Sequence, residues 1–312
     1  MSPTPVPDTT TPIGSAAIPV LMDGMLLVDK PAGVSSHDVV ARVRRAAHTK
    51  RVGHAGTLDP FATGLLVLAV GHATRLLPYL DAEPKVYSAR FRFGFETDSD
   101  DTTGLRTAEA PLPDWSTLEH AIASLTGAIQ QIPPAFSAKH VNGERAYKKA
   151  RRGETVELKP VSIVVHDWHV VSRSSDTLDV VITCKGGTYV RALARDLGRA
   201  LNSAAHCESL RREQSGRCTV AGAVAYPLLE RGSIANGHVA LGSPLSALQE
   251  MAHVQIDAAC EADIRLGRSV AASVDGARAV LLNHDHVIIG IANRTEANRW
   301  QPKVVLPDGN PS

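Results

Sequence analysis

The stretch GHAGTLDPFATGLLVLAVG, Gly53 to Gly71, sets a single carboxylate, Asp59, at the edge of an apolar run. A carboxylate can serve acid–base or covalent chemistry. Read alone, the Asp-Pro pair also suits the start of a turn or a helix cap. No second acid stands near it, so the paired carboxylates of a glycosidase are not visible. The thirteen histidines do not fall at HExxH or similar spacing, and the four cysteines form no CxxC pair. A hydrolytic or structural metal site is therefore unsupported. DKPAGVSS has the Gly and Ser of a phosphate loop but lacks GxxxxGK[ST], which favours a tight strand-to-helix turn. Tyr87 lies in an alternating segment, where a core aromatic is the plain reading. In KGGTYVRALARDLG, Tyr189 stands two residues before Arg191 at a Gly-rich turn. That is either a helix entry or a base-stacking tyrosine beside a charge clamp. ERAYKKARRGE is a solvated basic helix or an RNA contact.

Several elements must position these groups. MLLVD is a short buried strand, and KPAG turns it into a helix capped by Ser35 or Ser36, with Val39, Val40 and Val43 on one face. Flanking glycines and short length make GLLVLAVG a strand. Val86 to Phe95 alternates as a strand and ends in an acidic turn. DWSTLEHAIASLTG is a capped amphipathic helix stopped by Gly127. After a Pro-Pro loop and the basic helix, a strand begins at Val161. TLDVVITC is another strand, and past its Gly-Gly turn a helix carries Arg191, Arg195 and Arg199 along one slowly drifting face. Residues 231–242 read as a linker. Beyond them, short apolar runs between Gly, Asn and Asp turns predict a small β-rich domain.

The chain has 312 residues, 44% hydrophobic and 21% charged, which is ordinary for a globular protein of two domains. The formal net charge of +1 hides an uneven distribution. Gln131–Lys159 and Lys185–Arg217 each carry seven basic residues against three acids, while Phe95–Glu119 carries seven acids and one arginine. Basic and acidic faces coexist, and the basic one suits a polyanion. The scattered Cys184, Cys207, Cys218 and Cys260 fit a reducing compartment. The N-terminus lacks the basic and apolar regions of a signal peptide, and no run is long enough to span a membrane. A cytoplasmic location is the default expectation.

Taken together and in order, five blocks resemble the TruB family of tRNA pseudouridine synthases: LLVDKPAGVSSHDVV, VGHAGTLDPFATGLLVLAVGHATRL, KVYSARFRFGFETDSDD, QQIPPAFSAKHVNGERAYKKARRGE and CKGGTYVRALARDLGRAL. The resemblance runs from Met25 to Val220. It implies isomerisation of the T-loop uridine at position 55 of tRNA, with Asp59 as the nucleophile and the base flipped out of its stack. Tyr87 matches the tyrosine that packs on the target base, and Arg191 the arginine that pairs with the aspartate. Tyr189 and Leu210 match pocket walls, and His54 the histidine that fills the vacated stack. Lys30 and Pro31 belong to a KPxG element under the site floor. Asp101 matches an acid that orders the substrate loop, with Asp98 and Asp100 as close alternatives. Arg75 departs from the lysine of many members, and the two grip phosphate differently.

The implied fold is α+β, a mixed, largely antiparallel sheet followed by a small β-rich, PUA-like RNA-binding domain. The expected layout is a disordered tail over residues 1–23, a catalytic domain over 24–242 and the PUA-like domain over 250–308. The implied partner is the T arm of tRNA, with no membrane, no metal and no other cofactor, and with the chain acting as a monomer.

Overall fold

A computed structural model describes residues 23–80, 82–136, 140–141, 144–145, 158–296 and 298–307. The expected N-terminal tail lies outside the described residues but for Asp23, and so does the basic helix of ERAYKKARRGE but for Glu144 and Arg145. The chain runs β1 (Gly24–Lys30), α1 (Ser36–Ala46), β2 (Val52–His54), β3 (Thr63–Val70), β4 (Lys85–Phe93), β5 (Phe95–Thr97) and β6 (Arg106–Glu109). It continues through α2 (Leu118–Ser124), β7 (Gly127–Gln131), β8 (His140–Val141), β9 (Glu144–Arg145), β10 (Val161–Arg173) and β11 (Thr177–Cys184). Next come α3 (Val190–Ala200), β12 (Ala205–Ser215), β13 (Cys218–Thr219) and β14 (Val224–Ala225). The last part holds β15 (Ala252–Gln255), α4 (Ala258–Arg265), β16 (Val270–Ala271), β17 (Arg278–Leu282), β18 (Ile288–Glu296) and β19 (Arg299–Val305).

The large sheet has the order β14-β1-β3-β12-β4-β11-β10-β7, with β2 on β3 and β13 on β12. Pairing is antiparallel except for β1 with β14 and β3 with β12, so the sheet is mixed, as expected. β3 shows no alternation because both its faces are covered. Leu66, Leu68 and Val70 pack with Val39, Val40 and Val43 of α1, while Leu65 and Val67 meet Met25 and Ala247 on the other side. A strand buried on both faces reads as a continuous apolar run. β4 keeps its period: Tyr87, Ala89, Phe91 and Phe93 enter the core. Its outward Arg90 and Arg92 pair across strands with Asp179 and with Asp176 and Glu208. α3 lies so close to β12 that a Cβ at Gly198 would come within 2.6 Å of the Ala205 amide nitrogen.

The second sheet, β15-β17-β18-β19-β16, forms the β-rich C-terminal part around Trp300. α4 interrupts it where only short apolar strands between turns were expected. Asp257 caps this helix, but only Ile264 on it is buried, which leaves too weak an apolar period to read. The two parts share a core: Leu76, Tyr79 and Leu80 meet Leu248, Val280, Leu282, Ile288, Ile291 and Val304. Residues 231–242 do not behave as a linker. Ile234 and Val239 are buried with α1 and β3, the amides of Ile234 and Ala235 donate to the Ala46 carbonyl, and Gly242 pairs with Met25. Its buried anchors, Ile234 and Val239, together with Leu229 just before it, stand five residues apart, matching neither helix nor strand. No helix among the described residues is long and apolar enough to cross a membrane.

Candidate active site

Asp59 sits in the loop between β2 and β3, and that loop is pinned from below. Ser35 caps α1, accepting from the Asp38 amide, which frees Ser36 to face inward. The Ser36 hydroxyl donates to the Leu58 carbonyl and accepts from the Leu58 amide, both at 2.9 Å, fixing the residue before Asp59. On the other side, the fully buried Lys30 ammonium donates to the carbonyls of Pro31, Val34 and Pro60 at 2.9, 2.7 and 3.4 Å. The Gly33 amide also reaches the Pro60 carbonyl. Lys30 and Pro31 thus belong to the floor beneath the Asp59 loop. Burial lowers the Lys30 pKa to about 8, against the pull of Asp59 and with the push of Arg212.

The Asp59 side chain keeps 36% of its surface exposed and accepts a 2.9 Å bond from Arg191 Nε. Arg191 itself is 3% exposed, and its remaining donors reach the Ser99 carbonyl at 2.6 Å and the Phe136 carbonyl at 3.0 Å. Its Nη1 also lies 3.4 Å from Asp101. Asp101 in turn accepts from the hydroxyls of Ser99 and Thr103. One guanidinium therefore joins two carboxylates and two backbone segments. The rest of α3 repeats the device: Arg195 pairs with Asp100 and Asp196, and Arg199 with Glu96. Asp98, the third acid of TDSDD, accepts instead from the Leu105 amide. Burial raises the Asp100 carboxyl to about 6, with Arg195 opposing. This ladder holds the acidic segment against α3 and so holds Arg191 in line with Asp59.

Tyr87 and Leu210 pack in one apolar cluster with Leu58, each with 8% of its surface exposed. Burial raises the Tyr87 pKa, partly offset by the charge of Arg212. Tyr189 precedes α3, and its backbone is clamped by Gln131, whose amide group both donates to the Tyr189 carbonyl and accepts from its amide. His54, half-buried at the end of β2, meets the exposed His37 ring edge-on, with ring centres 6.2 Å apart. Its buried Nδ1 has no hydrogen-bond partner among the described residues, and burial, then the neighbouring His37, lowers its pKa. A cavity of about 840 Å³ is lined by Pro60, Phe61, Arg90, Asp179 and Leu210, and Asp59, Tyr87 and Arg191 are not part of its lining. A second, of about 750 Å³, lies at the seam between the two parts, lined by Arg51, Arg75 and Arg265. There Arg75 donates to the Val305 carbonyl, tying the parts together.

The structure thus brings Asp59, Arg191, Asp101, Tyr87 and Leu210 together, with Lys30 and Pro31 below and Tyr189 at the head of α3. Sequence reasoning gave no role to Arg212, named Ser36 only as a possible helix cap and Arg195 only as part of a helix face, and offered Asp100 only as an alternative to Asp101. Arg212 is fully buried, and its three donors reach the carbonyls of Leu65, Thr57 and Gly56. The one sequence signal for it is its place two residues after Leu210 on a strand whose alternate residues point inward.

A family model described as TruB family pseudouridylate synthase (N terminal domain) matches residues 44–190. A tRNA pseudouridine synthase B of Thermobifida fusca (strain YX) is 50% identical over 210 residues, covering 64% of this chain and 72% of that one. Another, of Synechococcus sp. (strain CC9311), is 38% identical over 289 residues, 91% of this chain and 97% of the relative. Among solved structures, a chain from an H/ACA RNP bound to a substrate RNA containing 2′-deoxyuridine superposes with a TM-score of 0.70 at 18% identity. That match covers 92% of this chain and 86% of the other, and at such identity it shows a common fold.

Proposed function

The chain belongs to the TruB family of pseudouridylate synthases, and on that premise we propose that it converts a T-loop uridine of tRNA to pseudouridine. The observation that carries this reading is the half-open Asp59 carboxylate, held by a buried arginine beside a tyrosine and a leucine wall. The uridine leaves its stack, at a cost of ~3 kcal/mol, and enters beside Tyr87 and Leu210. His54, with its unpartnered ring nitrogen, is suited to fill the vacancy. Asp59 attacks the nucleotide as a nucleophile, the C1′–N1 bond breaks, and the base turns to present C5. A C1′–C5 bond then forms, the bond to Asp59 breaks and returns its electron pair to the carboxylate, the C5 proton leaves and N1 takes one up. Atoms and electrons balance without an external donor or acceptor. Arg191 keeps Asp59 aimed, and the C-terminal domain, with the arginines at its seam, supplies phosphate contacts away from the target. We read the enzyme as a cytoplasmic monomer.

The test is release of tritium from tRNA transcript labelled with 5-³H-uridine, since bond formation at C5 frees that hydrogen. Wild-type protein should release it stoichiometrically with product. Asp59→Asn keeps the side-chain shape but removes the nucleophilic charge, so it should abolish release while tRNA affinity stays within about threefold. Binding without release by the wild type would make the chain a non-catalytic RNA-binding protein. Turnover by Asp59→Asn, with deamidation excluded, would remove Asp59 from the mechanism.

A further inference from the structure

Lys85 opens β4 two residues before Tyr87, so its side chain leaves the sheet on the same face. Its Nζ lies 2.8 Å from the position that a Cβ on Gly56 would occupy, and Arg212 Nη1 lies 3.7 Å from the same point. From the other side, its Cε is 3.9 Å from the corresponding position on Gly186, in the turn that leads to Tyr189. The ammonium therefore stands between the Asp59 loop and the turn before α3. Gly56 has φ +102 and no side chain, which keeps that space open.

Lys85 makes no hydrogen bond or ion pair among the described residues, and only the longer-range charges of Cys184 and Glu83 favour its ammonium. Its neighbour Glu83 is committed to the Gly186 amide and to Lys185. Lys30 donates to carbonyls, and Arg212 to carbonyls and to Tyr87, so among the described residues neither forms an ion pair with a carboxylate. Asp59 and Asp101 are matched by Arg191. A half-buried ammonium without a partner is costly to maintain unless a ligand completes it. Burial and Arg212 lower the Lys85 pKa, which a bound anion would reverse.

We propose that Lys85, with Arg212 behind it, forms a phosphodiester-binding subsite at the lip of the cleft, gripping a backbone phosphate of the RNA next to the target uridine. This rests on the reading of RNA as substrate. With the base beside Tyr87 and the ribose beside Asp59, the remaining anionic part of a nucleotide is its phosphate. Lys85 would supply a point charge, and Arg212, already bonded to carbonyls and Tyr87, the field behind it.

The experiment measures binding of a T-arm hairpin RNA against salt, with single methylphosphonate linkages placed in turn around the target uridine. Lys85→Met should weaken binding about tenfold and make the salt slope shallower by about one. Lys85→Arg should restore most of both. One neutral linkage beside the target should weaken the wild type, yet cost nothing further in Lys85→Met, because the two changes remove one contact. Lys85→Gln takes the place of the Met variant if thermal melting shows that Met does not fold. An unchanged salt slope in a folded variant, or the same linkage penalty in wild type and variant, overturns the subsite. Tritium release by the wild type is followed separately. Its absence would refute the isomerase reading, whereas release with an unchanged slope in the variant would refute only the role of Lys85.

Discussion

Arg191 is the residue whose loss the site can least absorb. Its three donor nitrogens meet Asp59, the Ser99 carbonyl and the Phe136 carbonyl, and Asp101 faces it from behind. Arg191→Met would leave two carboxylates facing each other without a cation, and would free the backbone at residues 99 and 136. A carboxylate that must attack one carbon cannot tolerate that loss of aim, because near-attack geometry supplies much of the rate. We expect kcat to fall at least ~100-fold, comparable to removing a preorganised active-site donor, with the dissociation constant for tRNA changed far less. Single-turnover kinetics at saturating enzyme checks this, and a variant with wild-type kcat would contradict it. Arg191→Lys should recover little, since an ammonium cannot reach three separated acceptors in one plane.

At the scale of elements, α3 and the acidic segment 96–101 are one device. Arg195 and Asp100 form its inner pair, 9% and 7% exposed at their side chains. Removing one partner of such a pair costs about 3–5 kcal/mol, so Arg195→Met should lower the melting temperature clearly. The loss should depend on pH. The wild-type Asp100 carboxyl titrates at about 6, above its ordinary 3.8. A raised carboxyl favours folding at low pH and loses that contribution as pH climbs through the folded value. Without Arg195 the carboxyl moves higher still, so the variant loses more stability than wild type between pH 6 and pH 8. Its deficit should therefore be larger at pH 8 than at pH 6 in parallel thermal melts. An equal deficit at both would exclude Asp100 as the group left uncompensated. The sequence made part of this device legible. The four-residue spacing of Arg191, Arg195 and Arg199 predicts a shared helix face, and the acids of residues 96–101 predict an acidic turn. What joins them is tertiary: the β5 region folds back beside α3, a pairing of segments some ninety residues apart that no local pattern encodes. Ser36 was hidden differently, because either serine of the pair could cap α1, and only packing decides that Ser35 caps while Ser36 turns inward.

For the whole molecule, the seam between the two sheets decides whether the C-terminal part behaves as an appendage. Sequence composition suggested a module joined by a linker, because turn-rich stretches with sparse apolar anchors look unstructured. The fold gives those anchors partners. Leu76 is fully buried against Leu248, Val280, Leu282 and Ile291, and Gly242 is paired to Met25 of the first strand. Arg75 bonds the Val305 carbonyl and Arg217 the Glu250 carboxylate across the same boundary. The surface ion pair contributes little, whereas each large apolar side chain re-exposed by separation costs ~2 kcal/mol. Independent domains would melt independently, but a shared core couples them. The full chain should therefore unfold in one calorimetric transition, with van't Hoff and calorimetric enthalpies in agreement. A chain ending at Gly242 should melt at least ~5 °C lower, as a loss of ~2 kcal/mol implies for a protein of this size, and should bind a hydrophobic dye at Leu76, Tyr79 and Leu80. Replacing Leu76 by Gln in the full chain should reproduce part of that drop, because it places a polar group in the seam. Two resolved transitions, with the truncated chain melting at the temperature of the upper one, would mean that the seam is a contact between separable domains and not a common core.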